Sequence, residues 1–356
     1  MSVWDTYPAN YRAAEAQQIL SAARAGECVS VVGLSGAGKS NLFGFLAHRQ
    51  SSPDLQFVLA DCNQLTEHSP AAFFRLARRM LGDETVGGDE FRALDKAIER
   101  RLATGSLCLL LDLSLLFDRS GRIFGDADRA FFNNLRALRD AHKYRLTYAA
   151  ATRHALPPGT ELAELFLAHT LWLGPLAESD AQWTVMQFAQ REGLKWGEQE
   201  TRALILASGG YAAFLRATCE ARAAGAELES IATHPALRAR VEEFLSDQPT
   251  AEELRRSGLE QHPFLRAPGL AVLDTTTLTA KENLLLAHFR AHANAVCAKD
   301  DLIRAVWPED KVFERGVRDD SLAQLVRRLR EKIESDPANP RHILTIPGRG
   351  YRFVAD

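Results

Sequence analysis

"GLSGAGKSN", residues Gly33 to Asn41, is the stretch on which the reading of this chain turns. It fits the pattern G-x-x-x-x-G-K-[ST], in which backbone N–H groups of a glycine-rich turn cradle phosphates. It follows "CVSVV" (Cys28 to Val32), a short apolar, β-branched run that reads as a buried strand. It precedes "LFGFLAHR", so a helix is expected to start near Lys39. Gly33, Gly36 and Gly38 allow backbone angles and close approach that a side chain would block. The free N–H groups and dipole of the helix start favour an anion. Lys39 is expected to reach the β/γ-phosphates of ATP, and the Ser40 hydroxyl to face Mg²⁺.

Working outward, "LQFVLADC" (Leu55 to Cys62) reads as a second strand. "SPAAFFRLARRMLG" reads as a helix with Ser69 as N-cap, Pro70 at its first position and Gly82 as its stop. "DEFRALDKAIERRLATG" is another helix, ending at Gly105. Leu107 to Leu111 is a continuous apolar run that ends in Asp112, the form of a buried strand delivering one carboxylate to a metal shell. "DADRAFFNNLRALRDAHKY" is amphipathic: Phe131, Leu135 and Leu138 recur at helical spacing, with Arg136 and Arg139 on the wetter side. Leu146 to Ala151 is a strand ending in Thr152 and Arg153, and His169 to Leu176 contains a fifth short strand.

An extra strand between the glycine-rich loop and Asp112, and a later one ending in Thr-Arg, resemble the additional-strand P-loop ATPases, which include the AAA+ and STAND groups. The resemblance runs from the N-terminus to about Ala221. It implies that Thr152 and Arg153 occupy the sensor-1 position, with Thr152 at the nucleotide and Arg153 reading its terminal phosphate. "SGGYAAFLRATCEA" (Ser208 to Ala221) resembles a later glycine–proline motif that lies against the base; Ala212 stands where the proline is usual. Arg216 is a sensor-2 candidate. One departure bears on turnover. Fast ATPases of this type carry a glutamate directly after the Walker B aspartate, whereas Asp112 is followed by Leu113, and the next acid is Asp118. The stretch from Arg153 to His169 offers no second arginine as a finger. The expectation is at most a slow ATPase, with Asp112 and Arg153 as its catalytic candidates, better suited to holding ATP as a switch.

Composition sets bounds. The chain has 356 residues, 46% hydrophobic and 25% charged, which suits two or three soluble globular domains. A net charge of −3 means that any surface for nucleic acid has to be local. Cys28, Cys62, Cys108, Cys219 and Cys297 lie far apart with no C-x-x-C pair, and read as buried thiols of a reducing cytoplasm. The start, "MSVWDTYPANYR", lacks a signal-peptide pattern, and no apolar run is long enough to span a bilayer. From Glu178 to about Gly258 the chain reads helical throughout, broken at Gly193, Gly209, Gly210, Gly225 and Pro235, with no ligand cluster. "QHPFLRAPGL" (Gln261 to Leu270) marks the last boundary.

At the C-terminal end, "LTAKENLLLAHFRAHA" opens with Thr279 as N-cap and Glu282 three residues on, a capping box before an apolar helix. "KDDLIRAVWP" is a second, short helix and "VRDDSLAQLVRRLREKIE" a third. On the third, Leu322, Leu325, Val326, Leu329 and Ile333 line one face, while Gln324, Arg327, Arg328 and Glu331 lie off it. "RHILTIPGRGYRFVAD" reads as a hairpin around Pro347, Gly348, Arg349 and Gly350. Three helices and a hairpin make a winged helix. "LTAKE", "LIRAVWP", "LVRRLREKIESDPANPRHI" and "GRGYRF" resemble, in order and spacing, the OmpR-like effector domain of bacterial response regulators. That resemblance implies a recognition helix over Val317 to Glu334 in the major groove of double-stranded DNA, and Arg349 at the wing tip entering the minor groove. Arginine pairs with guanine edges and glutamine with adenine edges. Arg318, Gln324, Arg327, Arg328 and Arg349 are therefore the DNA-binding candidates.

The expected architecture is an α/β P-loop NTPase domain (1–177), a helical lid and connector (178–262) and a C-terminal winged helix-turn-helix domain (270–356). The expected function is nucleotide-controlled, sequence-specific transcriptional regulation in the cytoplasm, with self-association left open and no membrane partner. Two alternatives stand beside it: a replication-initiator-like or DNA-remodelling ATPase, and a STAND-type defence or stress protein that uses the winged helix for protein contacts.

Overall fold

The computed structural model describes residues 3–65, 67–85, 88–114, 116, 123–156, 165–166, 169–260, 262, 279–292, 294–307, 319–334, 337 and 339–354. Arg318, Asp118 and most of the Gln261 to Leu270 boundary fall outside them. The chain divides into two compact units, Met1–Pro249 with Arg255–Leu259, and Thr250–Leu254 with Glu260–Asp356.

The first unit is built on five parallel strands: β1 (Val29–Val32), β2 (Leu55–Asp61), β3 (Ser106–Asp112), β4 (Leu146–Thr152) and β5 (Thr170–Trp172). Their order across the sheet is β2-β3-β4-β1-β5. β1, β3 and β4 are central, and almost every residue of theirs is buried, as both faces of a parallel sheet require. Helices α1 (Ala13–Arg24), α2 (Lys39–Phe45), α3 (Pro70–Met80), α4 (Glu90–Leu102) and α5 (Asp128–Ala141) accompany the strands. α3 starts as its sequence dictates, with the Ser69 hydroxyl accepting from the Ala72 N–H and Pro70 at the first turn. α5 buries Phe131, Phe132, Leu135 and Leu138 against the sheet. α6 (Glu178–Arg191), α7 (Glu198–Ser208), α8 (Ala212–Ala223) and α9 (Pro235–Ser246) follow in the same unit. Gly209 ends α7 with a left-handed φ of 57°, the reason a glycine stands there.

The second unit contains α10 (Ala280–Ala291), β6 (Val296–Ala298), α11 (Lys299–Val306), α12 (Asp319–Ile333), β7 (Ile343–Ile346) and β8 (Gly350–Phe353). The capping box is present: Thr279 Oγ1 accepts from the Glu282 N–H, and Glu282 accepts from the Thr279 N–H. Leu285, Leu286 and Phe289 of α10 pack with Leu302, Ile303 and Val306 of α11 and with Leu322, Leu325, Val326, Leu329 and Ile333 of α12. The hairpin is antiparallel, with Ile346 opposite Gly350, and its β8 arm also pairs with β6, giving the sheet order β6-β8-β7. β6 is three residues long and too short to stand out in the sequence. The buried Glu334 carboxylate accepts from the N–H groups of Arg341, His342 and Ile343, so the end of α12 sets where β7 begins.

Candidate functional site

The glycine-rich loop leaves β1 at its C-terminal end, where an open parallel sheet presents its ligand crevice. Gly36 and Gly38 adopt left-handed φ of 77° and 91°, which side chains resist. A Cβ on Gly36 would come within 2.3 Å of the Ala213 Cβ, so the loop also needs a glycine for close packing. α2 begins directly at Lys39, with Gly38 of the loop as its N-cap. Lys39 is buried and folds back along the loop, donating to the carbonyls of Gly33 and Leu34. Burial, with a smaller push from Arg153, lowers its pKa to about 8, against the opposite pull of Asp112 and Asp247.

Ser40 donates its hydroxyl proton to Asp112 Oδ2 at 2.6 Å. The two residues are 72 apart in sequence and meet because β1 and β3 flank β4 in one parallel sheet. Asp112 is buried, and its other oxygen accepts from the Ser114 N–H. Leu113, where a water-orienting glutamate would stand, is fully buried in the sheet's core cluster. Thr152 is also buried. Its hydroxyl donates to the His154 carbonyl at 2.8 Å, while its own carbonyl accepts from the Gly33 N–H, so it ties the strand end to the loop through the backbone. Arg153 makes an ion pair with Asp247 at 2.8 Å. Loop geometry, a lysine at the helix start and a hydroxyl–carboxylate pair at the sheet edge together fit a magnesium nucleotide.

Sequence reasoning missed three contributors. Arg12 is buried and left-handed at φ 45°, and its guanidinium donates to the carbonyls of Ala37 and Gly174 and pairs with Glu15. Its own N–H donates to Asp180 at 2.9 Å. Tyr211 donates its hydroxyl to the Ser35 carbonyl at 2.7 Å, and the Ala213 N–H donates to the Gly36 carbonyl. Asp247 comes from a helical stretch that reads as having no ligand cluster. The side of α8 at Ala212 and Ala213 thus packs on the loop. Arg216, by contrast, is exposed and paired with Glu220 on its own helix. A buried arginine at a helix start leaves no sequence pattern; only contacts made across more than a hundred residues reveal it.

In the second unit, Gln324, Arg327 and Arg328 are exposed on α12, opposite the buried stripe. Arg327 pairs with Glu331 at 3.0 Å, one turn on. Arg349 is exposed in the turn between β7 and β8. Arg330, not singled out by the sequence, bridges α12 to the hairpin by donating to the Ile343 carbonyl and the Thr345 hydroxyl.

Residues 274–353 match the family model described as "Transcriptional regulatory protein, C terminal". A stretch of 70 residues is 40% identical to the transcriptional regulatory protein YvrH of Bacillus subtilis, covering 20% of this chain and 28% of that protein. Over 80 residues it is 42% identical to the sensory transduction protein RegX3 of Mycobacterium tuberculosis, covering 22% and 34%. The chain thus spans about a third of the length of these curated relatives. Among solved structures, the chain is similar to the ORC2 protein of Aeropyrum pernix (14% identity, TM-score 0.45, 96% of this chain and 88% of that one). It is likewise similar to a Walker-type ATPase of Pyrococcus abyssi (14%, 0.46, 97% and 93%). The second unit carries the winged-helix domain that this family model describes, and the first is built on a five-stranded parallel α/β sheet. Among the described residues, no helix is long and apolar enough to cross a membrane.

Proposed function

We propose that the chain is an ATP-binding switch that governs sequence-specific DNA binding by its C-terminal domain, and so regulates transcription. The observation that carries this reading is the Ser40–Asp112 hydrogen bond beneath a left-handed glycine loop, in the same chain as a transcription-regulator domain. Gly33, Gly36, Gly38 and Lys39 would hold the phosphates, with Ser40 and Asp112 beside the Mg²⁺. Bound ATP supplies a γ-phosphate whose presence or loss distinguishes two states. Asp112 is followed in the chain by the buried Leu113 and not by a glutamate that could orient water, which favours slow turnover and a lasting ATP state. Gln324 and Arg328 share a stripe on α12 and would read bases, with Arg327 on a phosphate and Arg349 at the flanking minor groove.

The test is to sequence the DNA retained by the full-length protein with ATP, with ADP and with neither, while measuring phosphate release. The expected result is one enriched motif whose retention depends on nucleotide, with turnover below roughly ten per second. Nucleotide-independent retention would remove the switch. Turnover at or above that rate, lost in Asp112→Ala, would favour a DNA-remodelling ATPase instead.

A further inference from the structure

Outside the two surfaces above, His288, His292 and Cys297 draw together in the winged-helix unit, their donor atoms all within 4.8 Å of one another. His288 and His292 lie one turn apart at the C-terminal end of α10, with rings stacked at 4.3 Å. Cys297 lies on β6 opposite Tyr351 of β8. The three border a cleft of about 430 Å³ also lined by Asp301 and Arg304 of α11.

We infer that this cluster is a binding site for a divalent d-block cation of the zinc type, held by His288, His292 and Cys297, with Asp301 or water as the fourth ligand. The donor set is two imidazoles and a thiol, the mixture that selects zinc over magnesium or calcium. The H-x-x-x-H spacing sets both rings on one face of the helix. The His292 ring is already oriented: its Nδ1 lies 2.9 Å from the His288 carbonyl. A carbonyl can only accept, so Nδ1 carries the proton and Nε2 keeps its lone pair for a metal, the usual arrangement of a metal-bound histidine. A tetrahedral site needs donors about 3.5 Å apart, so the three side chains draw in by about 1 Å when metal binds.

Binding forms a metal–sulfur bond and releases the thiol proton to solvent, so affinity rises with pH. Arg304, 3.6 Å from Asp301, is the cation facing the site. A second cluster, Asp95, Glu99 and His142, lacks a thiolate, and its histidine already pairs with Asp95. A metal at the first cluster would tie the end of α10 to β6, and through the β6–β8 ladder to the wing.

The experiment uses the full chain, stripped with chelator under reducing conditions and titrated with Co²⁺. One equivalent should produce a near-ultraviolet thiolate-to-cobalt band, and Zn²⁺ should displace it. Cys297→Ser should abolish the band. His288→Ala and His292→Ala should each weaken Co²⁺ binding at least about tenfold, and His142→Ala should leave it unchanged. His292 is exposed, so its variant keeps the test decisive if Cys297→Ser misfolds. Absence of the band in the wild-type chain, or an unchanged band in a His288→Ala/His292→Ala double variant, would overturn the site.

Discussion

Lys39 and Arg328 are each proposed to meet a nucleotide or nucleic acid, and they lie in opposite surroundings. Lys39 is buried in the first unit, bonded to loop carbonyls and shifted toward neutrality. Arg328 stands in solvent on α12, one turn past Gln324, rooted only by the apolar stripe behind it. The buried site is built from single, non-exchangeable groups in a low-dielectric setting, where removing one leaves its neighbours unsatisfied. The exposed face is built from several cations that share one task, and salt screens each of them. The first should therefore fail abruptly on mutation and the second by degrees.

The largest expected effect falls on Arg12, which anchors the loop through the Ala37 carbonyl. Arg12→Ala should destabilise the first unit by about 3–5 kcal/mol, because Glu15 and two carbonyls lose a buried cation. Chemical denaturation of the full chain checks this. A loss under about 1 kcal/mol would place Arg12 among the tolerant surface charges and blur the contrast.

Next is Lys39→Ala, expected to weaken ATP binding by about 3 kcal/mol, on the order of a hundredfold, with DNA retention in the nucleotide-free state unchanged. Calorimetry with equal affinities for mutant and wild type would remove the phosphate loop from the argument.

On the exposed face, Arg328→Ala should cost on the order of 1–3 kcal/mol at the specific site and relax preference there. Arg327→Ala should weaken all sequences alike and flatten the salt dependence by about one ion. A gel-shift series over salt, on matched and scrambled sites, separates the two. An unchanged ratio of specific to non-specific affinity in Arg328→Ala would move the reading stripe elsewhere.

The smallest effect is a dependence on pH. Lys39 loses its proton near pH 8 in the folded chain, against the ordinary 10.5. ATP affinity should hold below about 8 and fall roughly tenfold by one unit above it, since phosphate binding then has to recover the proton. Between those two values the unfolded chain binds more protons than the folded one, so stability without nucleotide should rise with pH across that window. Calorimetry in buffers of different ionisation enthalpy should detect proton uptake with ATP near pH 8. A flat affinity up to pH 10 would mean that Lys39 keeps its charge despite burial.

Much of this was legible in the chain itself. Apolar runs located the central strands, because a parallel strand covered on both faces leaves an unbroken run such as Leu107 to Leu111. The buried stripe of α12 and the Thr279–Glu282 cap were equally plain, since both are set by residues within a few positions of one another. The glycine loop drew the eye because the phosphate-cradling pattern asks for particular residues at particular spacing, and its left-handed Gly36 and Gly38 agree with a tight turn there.

What required tertiary structure were the pairings that cross the sequence. The order β2-β3-β4-β1-β5 brings Ser40 to Asp112, and no local pattern encodes which strands become neighbours. Arg153 meeting Asp247, Tyr211 reaching Ser35, Arg12 reaching Gly174 and Cys297 approaching two histidines all follow from packing. Local rules act through the backbone geometry of a few residues, and they say nothing about a contact closed by the collapse of the whole core. The sequence determined which residues carry charge and which face each element buries; the tertiary fold decided which of those charges meet.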